Sequence, residues 1–461
     1  MKKTGKNFQQ PREFRFVAYH TPPCENTGFL QYQNNPNFNT PEQWELLADC
    51  GFNYAQPICY DRTEEHVERS IQGGGTAGVK VFVQNADTHP YGLANLIAKG
   101  GTYEEAWARF EQYKDEIKAH YDKFNCYDSF AGIFGSDEPN STLFPAIKAG
   151  KDWFALYYPE REYFVNLLPN YAQGWQLFGE MEGRDGYKTY EDYVARFCET
   201  VQPYALSYDH YALIEGNKDT KSFILYDFFY NLAVVAHYAR KLSKETGVYV
   251  PAYVYIQSMG FEAKRNLEDY EMWAWQCYTA LAYGFHGLQA FCYFSMLKPL
   301  DEGGNVISDA LVDRNGVKTA TYDYVQRALK DIKAIEDVYL SYDWEGTKAV
   351  YNADPYGLFK ALANWNMEKL TDVVDVKTDG DFLIGQFENC ENTDKKAYMV
   401  TNASDPYPEN RIPFAKIVLR FEKVKAVVVY KPGERAERVL LQDGVLELQV
   451  PCGQGYFIET E

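Results

Sequence analysis

The chain is poor in positive charge. Its 46 Lys and Arg stand against 65 Asp and Glu, a formal net charge of −19. A surface of that sign repels phosphate backbones and anionic lipid headgroups, so neither nucleic acid nor a membrane is expected as a partner. Long hydrophobic runs are missing too, since none reaches the roughly 18 residues that a membrane-spanning helix needs. The basic opening MKKTGKNFQQPREF leads into no apolar stretch, so no secretory signal is expected and a cytoplasmic location is. Histidine is scarce, with seven residues far apart, and the nine cysteines form no C-x-x-C pair. Those absences argue against a disulfide framework, a structural zinc site or any other metal centre, and fit a reducing compartment. A phosphate cradle is not expected either. Gly73-Gly74-Gly75 precedes an apolar run instead of opening a helix after one, and reads as a helix stop and loop. No organic cofactor is implied, and oligomeric state is not legible.

Aromatic residues are abundant, with 39 Tyr and 29 Phe in 461 residues. That is enough both to fill a core and to line a cavity with rings that stack on the C–H faces of sugars.

From Phe14 to about Tyr342, short β-rich runs alternate with longer amphipathic stretches, the rhythm of βα units on a parallel sheet. The runs are FRFVAY, NYAQP, VKVFVQ, FAGIFG, EYFVNLL, ALSY, VPAYVYI and LQAFCYF. Eight such units close a barrel. Thr40-Pro41 with Gln43, Thr102 with Glu105, and Thr189 ahead of Tyr190, Val194, Phe197 and Val201 mark helix starts, and a last helix is expected from about Thr321. After Asp343 the texture changes to alternating strands such as KIVLRFE, AVVVYK and LELQV, separated by turns at Pro432, Gln442 and Cys452. The expected architecture is a (β/α)8 TIM barrel over residues 1–343 with a C-terminal antiparallel β-sandwich over 344–461.

In such a barrel the chemistry sits at the C-terminal ends of the strands. The polar residues there are Tyr19 and His20, Gln56, Gln84 with Asn85 and Asp87, Asp137 and Glu138, Asn166 and Asn170, Asp209 with His210 and Tyr211, Gln257, and Tyr293. Carboxylates and amides bridge hydroxyl pairs, so the ring of side chains suits a carbohydrate. Gly135-Ser136-Asp137-Glu138-Pro139 is the strongest feature. Two adjacent carboxyls at a strand mouth repel each other, which raises one pKa and keeps a proton available near neutral pH for general acid catalysis. Tyr208-Asp209-His210-Tyr211 needs a partner or ligand for its charge. Trp175 and Trp153 are candidate aromatic platforms, and Trp273 and Trp275 read as packing. The segment from Thr21 to Phe38 is expected to wall the pocket and to suit a short glycan.

The strand order, the acid after the fourth strand, ALVDRNGVKTATYDYV from Ala310 and the trailing sandwich resemble clan A glycoside hydrolases, particularly β-galactosidase-like members. The resemblance implies a Glu acid/base after strand four, here Glu138, and a Glu nucleophile ending strand seven, where this sequence has Gln257. An amide forms no glycosyl-enzyme intermediate. Three arrangements fit: Glu262 reaching back as nucleophile, Asp209 as base or nucleophile, or a nucleophile supplied by the substrate. The third has its own resemblance, because an Asp-Glu-Pro run at strand four is similar to that of substrate-assisted β-N-acetylhexosaminidases. It implies that Asp137 orients a 2-acetamido group, Glu138 protonates the leaving oxygen, and Tyr208, Tyr211 or Tyr293 steadies the oxazoline. The expected function is a glycoside hydrolase acting on a β-linked glycan. The alternatives are a noncatalytic glycan-binding protein on a degenerate barrel, suggested by Gln257, and a barrel lyase or metal-dependent hydrolase.

Overall fold

The computed structural model describes residues 8–26, 35–57, 63–84, 90–179, 189–216, 222–296 and 307–461. Strands β1 (Arg15–Tyr19), β2 (Tyr54–Gln56), β3 (Lys80–Gln84), β4 (Phe130–Asp137), β5 (Glu162–Leu167) and β6 (Leu206–Asp209) lie in sequence order. An antiparallel hairpin, β7 (Leu213–Glu215) and β8 (Ser222–Ile224), follows them, and β9 (Ala252–Gln257) and β10 (Gly287–Phe291) close the parallel barrel against β1. The hairpin was not foreseen; its members are three residues each, too short to show a period.

Alternation divides each strand between two environments. Val17, Tyr54, Phe82, Phe134, Phe164, Tyr253 and Tyr255 fill the barrel interior, whereas Phe16, Ala18, Ala55, Val81, Val83, Val165 and Val254 face the helices. At the N-terminal end the interior holds a buried ion pair, Arg15 to Glu162 at 2.8 Å, with the guanidinium also over the rings of Tyr54 and Tyr253. It closes the end of the barrel away from the site.

Helix starts follow the sequence signals in most cases. Thr102 with Glu105, and Thr189 with Asp192, form reciprocal capping boxes. Thr40 sits at the N-cap before Pro41, but its side chain accepts no capping hydrogen bond. The last long helix spans Ala320–Lys333. Gly73-Gly74-Gly75 is a correction. These residues lie inside the helix Glu64–Ala77, which stops only at the left-handed Gly78. The reason is close approach: a Cβ on Gly73 would stand 2.1 Å from the Trp44 indole nitrogen, and one on Gly74 2.5 Å from Val81. Gly73→Ala is therefore expected to destabilise the fold by about 1–3 kcal/mol, measured by chemical denaturation.

The C-terminal strands are β11 (Tyr342–Val350), β12 (Val373–Thr378), β13 (Phe382–Asn389), β14 (Lys396–Asn402), β15 (Phe414–Phe421), β16 (Ala426–Tyr430), β17 (Glu437–Leu440), β18 (Val445–Pro451) and β19 (Gly455–Thr460). They form a six-stranded sheet, β11-β13-β14-β19-β16-β17, and a three-stranded sheet, β12-β15-β18. Phe382, Ile384, Tyr398, Val400, Ile417 and Leu419 pack between them. The larger sheet also lies against the helix Tyr270–Ala282. There Trp275 donates to the Ala403 carbonyl at 3.1 Å, and a Cβ on Gly385 would fall 2.1 Å from the Ala282 carbonyl. One apolar cluster thus runs from the barrel helices into Leu383, Met399 and Phe457, and Trp273 and Trp275 belong to it as packing residues.

Candidate active site

The end of β4 is bent so that two acids reach the barrel mouth. Phe134 faces the interior, and simple alternation would turn Asp137 outward. The β4–β5 register slips between Phe134 and Ser136, with Phe134 opposite Phe164 but Asp137 opposite Asn166. The extra residue brings Asp137 to the inner face. Gly135 permits it, since a Cβ there would overlap the Tyr163 ring at 2.2 Å. Glu138 then adopts φ +44, and its N–H donates to the Asn166 carbonyl at 2.9 Å. Tyr193 donates to the Pro139 carbonyl at 2.7 Å and holds the turn behind it.

A cavity of about 210 Å³ opens at this end, lined by Tyr19, Phe134, Asp137, Glu138, Asn166, Asp209, Tyr211, Tyr255 and Phe291. Pockets for drug-sized ligands run roughly 300–1,000 Å³, so this is the scale of a single ring. Aromatic faces form most of the wall. Tyr19 stacks on Phe291 at 5.4 Å and meets Tyr255 edge-on at 5.7 Å, and Tyr211 lies 5.0 Å from Phe291.

Two carboxyls meet on one amide, and a third joins them through Asp209. Asn166 Nδ2 donates to Asp209 Oδ1 at 2.9 Å and reaches Asp137 Oδ1 at 3.5 Å. Its orientation is set from behind: Ser207 donates to Asn166 Oδ1 at 2.9 Å and accepts from Gln289 at 2.8 Å. Asp209 is buried and hydrogen-bonded to Glu138. Asp137 and Glu138 are exposed at the cavity mouth, but the protein around them displaces part of their water, so solvent contact does not give them full solvation. No Lys, Arg or His lines the cavity among the described residues.

The electrostatic result is retained protons. Burial, then the charge of Glu138, pushes Asp137 up to about 7 against the Asn166 hydrogen bond. Burial also raises Glu138, opposed by a hydrogen bond from Asp209, while burial and the charges of Glu138 and Asp137 raise Asp209. Glu138 therefore ionises before Asp209, which keeps its proton and donates it in their hydrogen bond, and Glu138 is the more exposed member of the pair.

These shifts have a consequence for stability. An Asp with an ordinary value of 3.8 that is held near 7 makes the folded chain bind more protons than the unfolded one across that interval. Stability is greatest below the unfolded value and declines as pH rises through 7. Asp137→Asn is therefore expected to raise the melting temperature at pH 8 by about 1–3 °C after solvent screening, with no gain at pH 4. Thermal melts at both pH values check this.

Of the residues singled out from sequence, Asp137, Glu138, Asp209, Asn166, Tyr19 and Tyr211 line this cavity. The others differ, each for a physical reason. His210 falls on the outward phase of β6, and His20, one residue past β1 with φ +60, stacks on Tyr19 at 4.6 Å without lining the cavity. Burial takes His20 down to about 3, leaving it neutral. His210 bonds Asp227 at 3.1 Å, and Asp227 also takes the Asn170 amide at 3.0 Å, so Asn170 and His210 serve a buried structural cluster. Burial would raise Asp227, but His210 and Asn170 hold it below the usual range. Gln56 accepts from Tyr255 and donates to Gln84 at 3.3 Å, so both glutamines support Tyr255. Gln257 accepts from the Leu213 N–H at 3.2 Å and donates to the Arg265 carbonyl, spending its amide on the loops above it. Tyr293 is buried against Phe52, and Tyr208 against Phe285. Glu262 is exposed and does not line the cavity. Trp153 is core, whereas Trp175 is 60% exposed and braced by Gln173. Asn85 and Asp87, and residues 27–34 of the segment 21–38, lie outside the described residues.

Phe134, Tyr255 and Phe291 line the cavity without having been singled out. Their signal was parity, since each shares the inward phase of its strand with other interior residues.

No protein-family model matches the chain, and no curated protein matches it. Solved structures with a similar course include a glucosidase from Croceicoccus marinus, with 10% identity, 98% of each chain covered and a TM-score of 0.47. An α-amylase from Anoxybacillus has 8% identity, 97% of this chain and 98% of its own covered, and a TM-score of 0.49. An endo-β-1,4-mannanase from Thermotoga petrophila has 12% identity, 96% and 98% covered, and a TM-score of 0.42. At this distance the functional reading rests on the site's own chemistry.

Proposed function

We propose that the protein is a glycoside hydrolase that cleaves a β-linked 2-acetamido sugar, with Glu138 as general acid and the substrate's acetamide as nucleophile. The observation that carries this reading is the hydrogen-bonded pair Glu138–Asp209 at the wall of a tyrosine-lined cavity of single-ring size, with Asp137 beside it on the Asn166 amide that also holds Asp209.

The carboxyl spacing favours participation by the substrate. Retaining enzymes with a protein nucleophile hold two carboxyls about 5–5.5 Å apart, and inverting enzymes about 6.5–9.5 Å apart. Glu138 and Asp209 share a hydrogen bond, a closer approach than either of those spacings.

In the first step the acetamide oxygen attacks C1, the C1–O bond to the leaving group breaks, and the proton that Asp209 holds in its hydrogen bond to Glu138 passes through Glu138 to that oxygen. The positive charge falls on the oxazolinium nitrogen, whose N–H donates to the Asp137 carboxylate. Glu138, now ionised, takes a proton from water as that water adds to C1 and reopens the ring. The anomeric configuration is retained. Asp209 and Asn166 are positioning residues: they hold the proton and aim the acids. Tyr19, Tyr211, Tyr255 and Phe291 supply ring faces to the sugar.

A panel of 4-nitrophenyl β-glycosides tests the proposal. Substrates with a 2-acetamido group are expected to turn over at least about 100-fold faster than their 2-hydroxy counterparts. Saturable sugar binding with no turnover of any member would favour the noncatalytic binding protein instead.

A further inference from the structure

A second cluster stands at the rim of the barrel, outside the acid cavity. Residues 20–26 follow β1, the strand that carries Tyr19, and His66 lies in the first turn of the helix Glu64–Ala77 that follows β2. One donor atom each from Cys24, Glu25 and His66 lies within 4.8 Å of the other two. We propose that Cys24, Glu25 and His66 form a three-ligand site for one borderline divalent cation of the zinc class.

The donor set is a thiolate, an imidazole and a carboxylate. These are the groups that zinc takes at about 2.3, 2.0–2.1 and 2.0–2.2 Å, with a fourth tetrahedral position left for water. Ligands at those lengths stand roughly 3.3–3.8 Å apart, within the 4.8 Å that bounds the three donor atoms here. The Cys24 thiol, whose sulfur is 3.9 Å from the His66 carbonyl, releases its proton to the solvent as the metal–sulfur bond forms.

The surroundings are built around the sulfur. Cys24 is fully buried, and Asn39 Nδ2 donates to its Sγ at 3.3 Å. Asn39 is itself fixed by Trp44, which donates to its Oδ1 at 2.9 Å, and by a second bond to Ser70 at 3.0 Å. An amide N–H on a cysteine sulfur stabilises the thiolate and orients it, the usual task of a residue behind a metal ligand. The Cys24 carbonyl accepts from Asn35 at 2.6 Å, which pins the loop.

Arg69 grips both Glu25 oxygens at 2.9 and 3.0 Å. Each carboxylate oxygen has two lone pairs, so Arg69 and an ion can share Glu25. Two anionic ligands balance a divalent ion, and Arg69 remains as the outer partner. No spacing motif announced this arrangement, because the cysteine and histidine are 42 positions apart and belong to separate βα units.

The test is a titration of the reduced full-length chain with Co2+, read by near-ultraviolet thiolate-to-cobalt charge-transfer absorption. Cys59, Cys126 and Cys390 are replaced by Ser in the background, to remove thiols that are exposed or outside the described residues. The expected result is a band that saturates at one Co2+ per chain and is displaced by Zn2+. Cys24→Ser abolishes it, and Asn39→Ala weakens binding roughly 10-fold or more. No band in the parent background, or a band that persists in Cys24→Ser, overturns the proposal. If Cys24→Ser misfolds, a parent without a band still overturns the proposal, and a band that Asn39→Ala leaves unweakened does so too.

Discussion

Glu138→Gln is expected to lower kcat/KM by about 10³-fold on glycosides with poor leaving groups while leaving the fold intact. Gln keeps the size of the side chain but has no acidic proton to give the leaving oxygen. The stability side of the exchange is favourable, since it removes one of three neighbouring carboxyls at a cavity that no cation lines among the described residues. Steady-state kinetics with circular dichroism separates the two effects. Loss confined to KM would place Glu138 in binding rather than proton transfer.

The second large effect is expected at Asp137. Asp137→Asn should slow 2-acetamido substrates by about 100-fold and leave the slower turnover of 2-hydroxy glycosides unchanged. The carboxylate is proposed to accept the acetamide N–H as the nitrogen becomes positive, and a neutral amide does this poorly. Asp137 must be ionised for the task and is held at about 7. The wild-type rate should therefore fall toward acid pH with an apparent pKa near 7. The basic limb reports loss of the proton shared by Glu138 and Asp209. Equal slowing of both substrate classes would remove Asp137 from acetamide recognition.

Barrel and sandwich were legible because hydrophobic period and turn chemistry are local. All eight runs became barrel strands, and the turn glycines Gly433, Gly444 and Gly453 have the positive φ that their turns need. Residues at strand ends were harder to assign, because the end of a strand specifies height in the barrel but not direction. His210 points outward by parity, His20 sits past the end of β1 in a left-handed conformation that parity does not encode, and Gln257, on an inward phase, is covered by loops whose backbone it bonds. Asp137 reached the site through a register slip that alternation does not encode, although Gly135 is its trace. Tyr255 and Phe291 were passed over because an aromatic residue in an apolar run looks the same whether it faces a core or a cavity. Gly73 and Gly74 resemble a helix stop for a similar reason, since the contact that requires them is to Trp44 and Val81, distant in the chain.

The central claim is that Glu138 delivers a proton to the bridging oxygen, and the dependence of rate on leaving-group acidity tests it most directly. Wild-type enzyme and Glu138→Gln would be compared on aryl 2-acetamido-β-glycosides whose phenols span a wide range of pKa. The account predicts a shallow slope for wild type and a steep one for the variant, with the two rates converging on the most acidic phenol, which needs no proton to depart. Parallel slopes, or a variant equally impaired on every phenol, would contradict it.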